Sequence, residues 1–144
     1  MLTDEQRQGM VEWIAALRSG TYRQGRSSLK KYLSADTVQY CCLGVRCELD
    51  SGVRELSADG PNGAFQMAEA VSEIGTFCNS GGAPAIVLPS RDMFESWGLD
   101  YDTVNLLAEM NDGGREWQDD LDVYVEIPSK TFDEIADHLE NTYL

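Results

Sequence analysis

Two glycines and five polar side chains near the start of the chain hold its densest chemistry. Arg18, Tyr22, Arg23, Gln24 and Arg26 surround Gly20 and Gly25 in the run RSGTYRQGRSSLKK. Arginine grips phosphate or carboxylate through a planar fork of donors. Tyr22 can stack on a base or close a pocket wall. Glycine lets backbone amides approach an anion. These are the parts of an anionic-ligand site, with Arg18, Tyr22, Gln24 and Arg26 as its contacts. The competing reading is structural: the arginines pair with acids elsewhere and staple the fold. The run holds five of the chain's eleven basic residues and no acid, in a protein of formal charge −14.

Other candidate groups are weaker. The single histidine, His138, falls near the edge of a helical apolar stripe, which leaves a Ser or Cys nucleophile without a placed base. Cys41, Cys42, Cys47 and Cys78 form no CxxC pair, so they read as small buried apolar residues rather than zinc ligands, with the reactivity of Cys41 open. Asp119, Asp120 and Asp122, with Glu116, lack the glycine and distal glutamate of a calcium loop and read as a solvated acidic turn. That turn is the alternative site, a surface for a basic partner. No P-loop and no GxGxxG is present. The sequence therefore assigns no catalytic residue, no metal site and no cofactor. A hydrolase or transferase acting on a phosphorylated ligand lacks a visible nucleophile–base pair.

The elements that position these groups follow from pattern. Thr3 to Gln6 has the capping-box form, and Met10, Trp13, Ile14 and Leu17 continue at helical spacing to Gly20. This predicts a helix over 4–18, with Arg18 at its negative end. Leu29 to Leu33 suggests a short helical turn, and Leu29 to Lys31 ordinary amphipathic surface. Tyr40 to Asp50 fits a buried helix better than a buried strand, with Gly44 admitting another element at close range. Residues 51–82 carry turn signals at ADGPNGAF and NSGG, with a short helix or strand pair between Phe65 and Phe77. Ala85 to Leu88 suggests a short buried strand. Ser90 and Gly98 bracket one helix; Asp100 or Asp102 caps another that ends at Asp112-Gly113. Leu121, Val123, Val125 and Ile127 alternate with polar neighbours, which predicts a half-buried strand closed by Pro128. A second capping box at Thr131 to Glu134 opens a last helix over 131–142. The sum is an α+β domain spanning 1–144, with four to five helices and a small sheet of two to four short strands.

Bulk composition narrows the partners. The chain has 144 residues, enough to bury a core as one domain. Its strong acidity argues against direct DNA binding, which needs a basic footprint. It suits a basic partner or mimicry of nucleic-acid charge. From Asp92 to Leu144 there are fifteen acids against two bases, Arg115 and Lys130. No apolar run is long enough for a membrane span, and Met1 opens on a polar helix start rather than a signal peptide. The expectation is a cytoplasmic protein with no membrane partner; oligomerisation is open.

The blocks Trp13-x-x-Ala16-Leu17-Arg18-Ser19-Gly20-x-Tyr22-x-Gln24-Gly25 and Tyr40-Cys41-Cys42-Leu43-Gly44-Val45-x-Cys47 resemble a set of small proteins encoded by bacteriophages and prophages. Leu88-Pro89, Trp97-Gly98-Leu99, Asn111-Asp112 and Phe132-x-Glu134-Ile135-Ala136-Asp137 extend the likeness over about half of the chain, in order. Against it, the segment between Asn111-Asp112 and Phe132 looks long, with the strand at 121–127 added. The resemblance implies a viral accessory protein in the infected host's cytoplasm and assigns no activity. By analogy with such proteins it implies action by binding, including counter-defence. The function expected is sequestration of an anionic small molecule, such as a nucleotide signal, at Arg18, Tyr22, Gln24 and Arg26. The alternative is an acidic inhibitor of a host defence or nucleic-acid-binding protein, acting through Asp119, Asp120 and Asp122.

Overall fold

The protein is described by a computed structural model over residues 2–34, 36–56, 62–67 and 87–144. Its first helix, α1 (Asp4–Arg18), starts where the capping box requires: Thr3 Oγ1 accepts from Gln6 N, and Thr3 N donates to Gln6 Oε1. Met10, Trp13, Ile14 and Leu17 are its buried stripe. The last helix begins the same way, with Thr131 and Glu134 as reciprocal caps, and buries Phe132, Ile135, Ala136 and Leu139. These two stripes face each other, so the two ends of the chain form one layer of the core.

Between them lies a helix with almost no polar face. α2 (Cys42–Leu49) buries Cys42, Leu43, Gly44, Val45 and Cys47, and packs against α1 and the helix that ends at Asp112. Its start is capped by a thiol: Cys41 Sγ accepts from Gly44 N at 3.3 Å. The buried helix expected at Tyr40 to Asp50 is therefore present, and Gly44 does admit a close neighbour. A Cβ placed there would lie 1.7 Å from the carbonyl oxygen of Leu29.

Five short strands cover one side of this core: β1 (Arg23–Gln24), β2 (Lys30–Tyr32), β3 (Val38–Tyr40), β4 (Val53–Leu56) and β5 (Asn62–Met67). Their order is β1-β3-β2-β5-β4, with β1 and β3 parallel and the other pairs antiparallel. Leu29 to Leu33, expected as a helical turn, instead supplies β2. Leu29 is wholly buried and Lys30 is only 6% exposed, so this segment is not ordinary surface. Lys30 reaches the carboxylates of Glu55 and, at 3.6 Å, Glu48, and lies over the rings of Tyr32 and Tyr40. Burial pulls its pKa down. The hydrogen bonds to Glu55 and Tyr32 and the charge of Glu48 outweigh that and raise it, so the amine stays charged and is no nucleophile.

Two further helices follow, α3 (Arg91–Ser96) and α4 (Tyr101–Asp112). Asp100 caps α4, accepting from Thr103 N at 2.8 Å. Ser90 occupies the cap position of α3 without making a cap bond. Of the strand expected at Ala85 to Leu88, only Val87 and Leu88 are described; they are irregular and Val87 is exposed. Of Phe65 to Phe77, only the first three residues are described, and they lie in β5.

After Gly113 the chain forms a separate antiparallel hairpin, β6 (Gly114–Gln118) and β7 (Val123–Ile127), and then enters α5 (Phe132–Tyr143). The half-buried strand expected over 121–127 is corrected here. Every residue of β7 is exposed, because the ribbon pairs only with itself and no layer lies on its apolar side chains among the described residues. Alternation predicts which face each side chain takes; it does not say that anything covers that face.

The α+β class is as the sequence indicated, with five helices among the described residues and strands divided between the sheet of five and this hairpin.

Candidate functional site

The basic run does not converge on one pocket. Arg18 holds α1 to α5: its guanidinium reaches Asp137 Oδ1 and Glu140 Oε2, both at 2.6 Å. This is the stapling role, with acids from the second half of the chain. Gln24 is also engaged internally. Its Nε2 donates to Lys130 O at 2.7 Å and Asn111 Oδ1 at 3.1 Å, and its Oε1 accepts from Phe132 N at 3.1 Å. The last bond satisfies one of the free N–H groups at the start of α5. Tyr22 packs edge-on against Tyr40, with ring centroids 5.2 Å apart, and lines a hollow of about 380 Å³ with Arg23, Asp36 and Thr37.

Arg26 alone of the four reaches a larger space. Its guanidinium donates to Ser129 Oγ at 2.6 Å. Beside it opens a cleft of about 670 Å³, lined by Arg26, Asp112, Gly114, Arg115, Glu126, Ile127, Pro128 and Ser129.

A residue that the sequence offered only as part of the bacteriophage-family likeness, with no site role, holds the area together. Asn111 is fully buried at the end of α4. Its Oδ1 accepts from Cys42 N, the first N–H of α2, at 3.0 Å, and its Nδ2 donates to Gly25 O at 2.8 Å and Asp112 Oδ1 at 2.9 Å. One side chain thus ties the polar loop to two helix ends. In sequence it stands in NDGG, which signals only a helix stop.

The hairpin carries the other candidate site. Asp119, Asp120 and Asp122 lie exposed at its turn, where Asp122 takes a left-handed φ of 53°, a conformation aspartate tolerates. Trp117 and Tyr124 are register partners and meet edge to face with centroids 4.9 Å apart. The indole N–H donates to Asp119 Oδ1 at 2.7 Å. Val123, Val125 and Ile127 alternate with Tyr124 along β7 and so form a row on the opposite face. Exposure runs from 42% at Val125 to 69% at Leu121. The sequence pointed to the aspartates; it did not reveal the apolar rows beside them, because the same alternation marks a strand packed on a core.

The described thiols are buried. Burial pushes the Cys41 thiol up to about 12, and raises those of Cys42 and Cys47 well above the ordinary value. Cys42 Sγ approaches Leu107 O at 3.5 Å, as a protonated thiol does. Cys78 lies outside the described residues. In a Cys78→Ser variant, the folded protein is expected to resist iodoacetamide at pH 8, and denaturant to expose three alkylatable thiols. Stoichiometric labelling of the folded form, read by intact mass, would contradict this burial. His138 is half-buried on α5, at the margin of its apolar face. No group of three or more His, Cys, Asp and Glu converges on a metal-sized site among the described residues. No helix among them is long and apolar enough to cross a membrane.

No curated protein and no solved structure gives a significant match to this chain. A family model does, along nearly its whole length and through every feature just described. On that match over residues 7–143, the chain belongs to the family described as a domain of unknown function (DUF8296).

Proposed function

We propose that this protein acts by binding, and that the β6–β7 hairpin docks on a basic surface of a partner protein. One observation carries the reading. A two-stranded ribbon exposes Trp117, Tyr124, Val123, Val125 and Ile127, with no layer on either face among the described residues. Such a ribbon is marginal alone, and large apolar side chains exposed on both of its faces are characteristic of a protein interface. The aromatic pair Trp117 and Tyr124 on one face supplies side chains of the type that dominates binding energy.

Charge selects the partner. Residues 114–127 hold five acids against one base, and Asp119, Asp120 and Asp122 frame the apolar rows at the tip. An apolar ridge bordered by Lys and Arg is the complement. In the bacteriophage setting that the sequence blocks imply, a host protein whose basic surface ordinarily meets nucleic acid fits this description, and occupying it is a counter-defence role. The small-ligand reading loses two of its four contacts to internal work, since Arg18 and Gln24 are engaged within the fold.

The test compares three baits in parallel against host lysate: the parent, Trp117→Ala with Tyr124→Ala, and Asp119→Asn with Asp120→Asn and Asp122→Asn. A partner held by the parent is expected to be lost by the aromatic variant. With that partner purified, the triple neutralisation is expected to weaken binding about 10-fold and to flatten its salt dependence. Binding that is insensitive to salt and unchanged by both variants overturns the proposal.

A further inference from the structure

We propose that the cleft at the base of the hairpin, framed by Arg26 and Arg115, is a binding site for a small phosphate monoester. This site lies at the base of the hairpin, away from Trp117 and Tyr124, and shares only Ile127 with the exposed apolar rows. Four observations meet there. The first is size: about 670 Å³ lies within the range of small-molecule pockets. The second is charge. Arg26 and Arg115 both line the cleft, and neither forms an ion pair among the described residues of a chain with 25 acids. Arg26 spends one donor on Ser129 Oγ, which orients its fork and leaves other N–H groups for an anion.

The third is backbone conformation. Ser27, next to Arg26, adopts a φ of +68°, which non-glycine residues rarely take. Its N–H donates to Asp112 Oδ1 at 3.0 Å, so the strained turn is pinned to the cleft wall and carries Arg26 with it. The fourth is an absence of bulk. Gly114 lines the cleft and has no left-handed φ, and a Cβ built on it meets nothing within 4 Å. Neither the backbone nor packing requires glycine there. It leaves the cleft wall without a side chain at this position, in a strand where glycine weakens pairing.

The walls narrow the ligand class. Two guanidinium groups suit a dianionic phosphate. Glu126, the register partner of Arg115, and Asp112 both line the cleft; their carboxylates repel a bare anion and accept from a hydroxyl or amine. A phosphate attached to a donor-rich remainder, such as a nucleoside monophosphate, satisfies both. Inorganic phosphate satisfies only the first.

The experiment is an amide NMR titration with two probes, AMP and inorganic phosphate. Saturable shifts are expected at Gly114, Arg115 and Ser129, with AMP binding more tightly than phosphate. Arg115→Gln is expected to weaken AMP about 10-fold or more. Gly114→Val is expected to keep or raise the melting temperature and to weaken binding, because it adds bulk at a residue that lines the cleft. If Gly114→Val does not fold, Arg115→Gln, an exposed substitution, decides the matter alone. No saturable shift with either probe up to about 10 mM overturns the proposal. So does an AMP affinity left unchanged by Arg115→Gln or by a folded Gly114→Val. Partner binding by the Trp117 and Tyr124 rows is measured separately on Gly114→Val, so failure of one site leaves the other still tested.

Discussion

Gly44→Ala is expected to prevent the protein from reaching its native state, at a cost of about 4 kcal/mol or more. The added methyl would sit 1.7 Å from Leu29 O, 2.5 Å from its carbonyl carbon and 3.0 Å from its Cα. All three are backbone atoms, so no side-chain rotation relieves the overlap. The chain cannot simply move apart either. Leu29 O accepts from Cys41 N at 3.2 Å, Leu29 is itself fully buried, and the next residue is held by Glu55 and Glu48. Separating α2 from this strand opens the centre of the core. The measurement is circular dichroism with urea unfolding, and Gly114→Ala is the matched control because its methyl meets no atom within 4 Å. A Gly44→Ala protein with the parent's unfolding midpoint would show that α2 and Leu29 do not approach as described.

Asn111→Ala is expected to cost about 3–4 kcal/mol, the second large effect. Removing the carboxamide orphans Cys42 N and Gly25 O in a region closed to water, and takes one of Gln24's partners. Each buried group left without a partner costs about 1–3 kcal/mol. The effect extends beyond stability, because the same amide fixes the loop that presents Arg26. Asn111→Ala should therefore weaken AMP at the cleft even in molecules that remain folded. Urea unfolding reads the first effect and the amide titration the second. A loss below about 1 kcal/mol would mean that water or a rearranged Gln24 replaces the amide.

Legibility followed the range of the physics. Thr3 with Gln6, and Thr131 with Glu134, signal helix starts because both partners lie within one turn. Gly44 was readable as a close approach because four small or apolar neighbours already implied a buried helix. Lys30 was not. A lysine beside a lysine looks like surface, and only the antiparallel pairing of β2 with β5, and of β5 with β4, brings Glu55 to it. The candidate site shows the same division. Arg26 was singled out from its own neighbourhood, whereas Arg115 and Gly114 gain meaning only because the base of the hairpin lies beside the loop that carries Arg26.

By itself the sequence determined the α+β class, the two capped end helices with their apolar stripes, the buried Tyr40–Asp50 helix, and the polarity of the chain from a basic run to an acidic second half. Each depends on residues close together in the chain, where periodicity, capping and charge act locally. Tertiary structure alone decided that Arg18 and Gln24 serve the fold, that Arg26 shares a cleft with Arg115, and that β7 faces solvent. Burial and pairing are relations between segments distant in sequence; an alternating strand encodes an apolar face, and only the packing of the whole chain decides whether that face is covered.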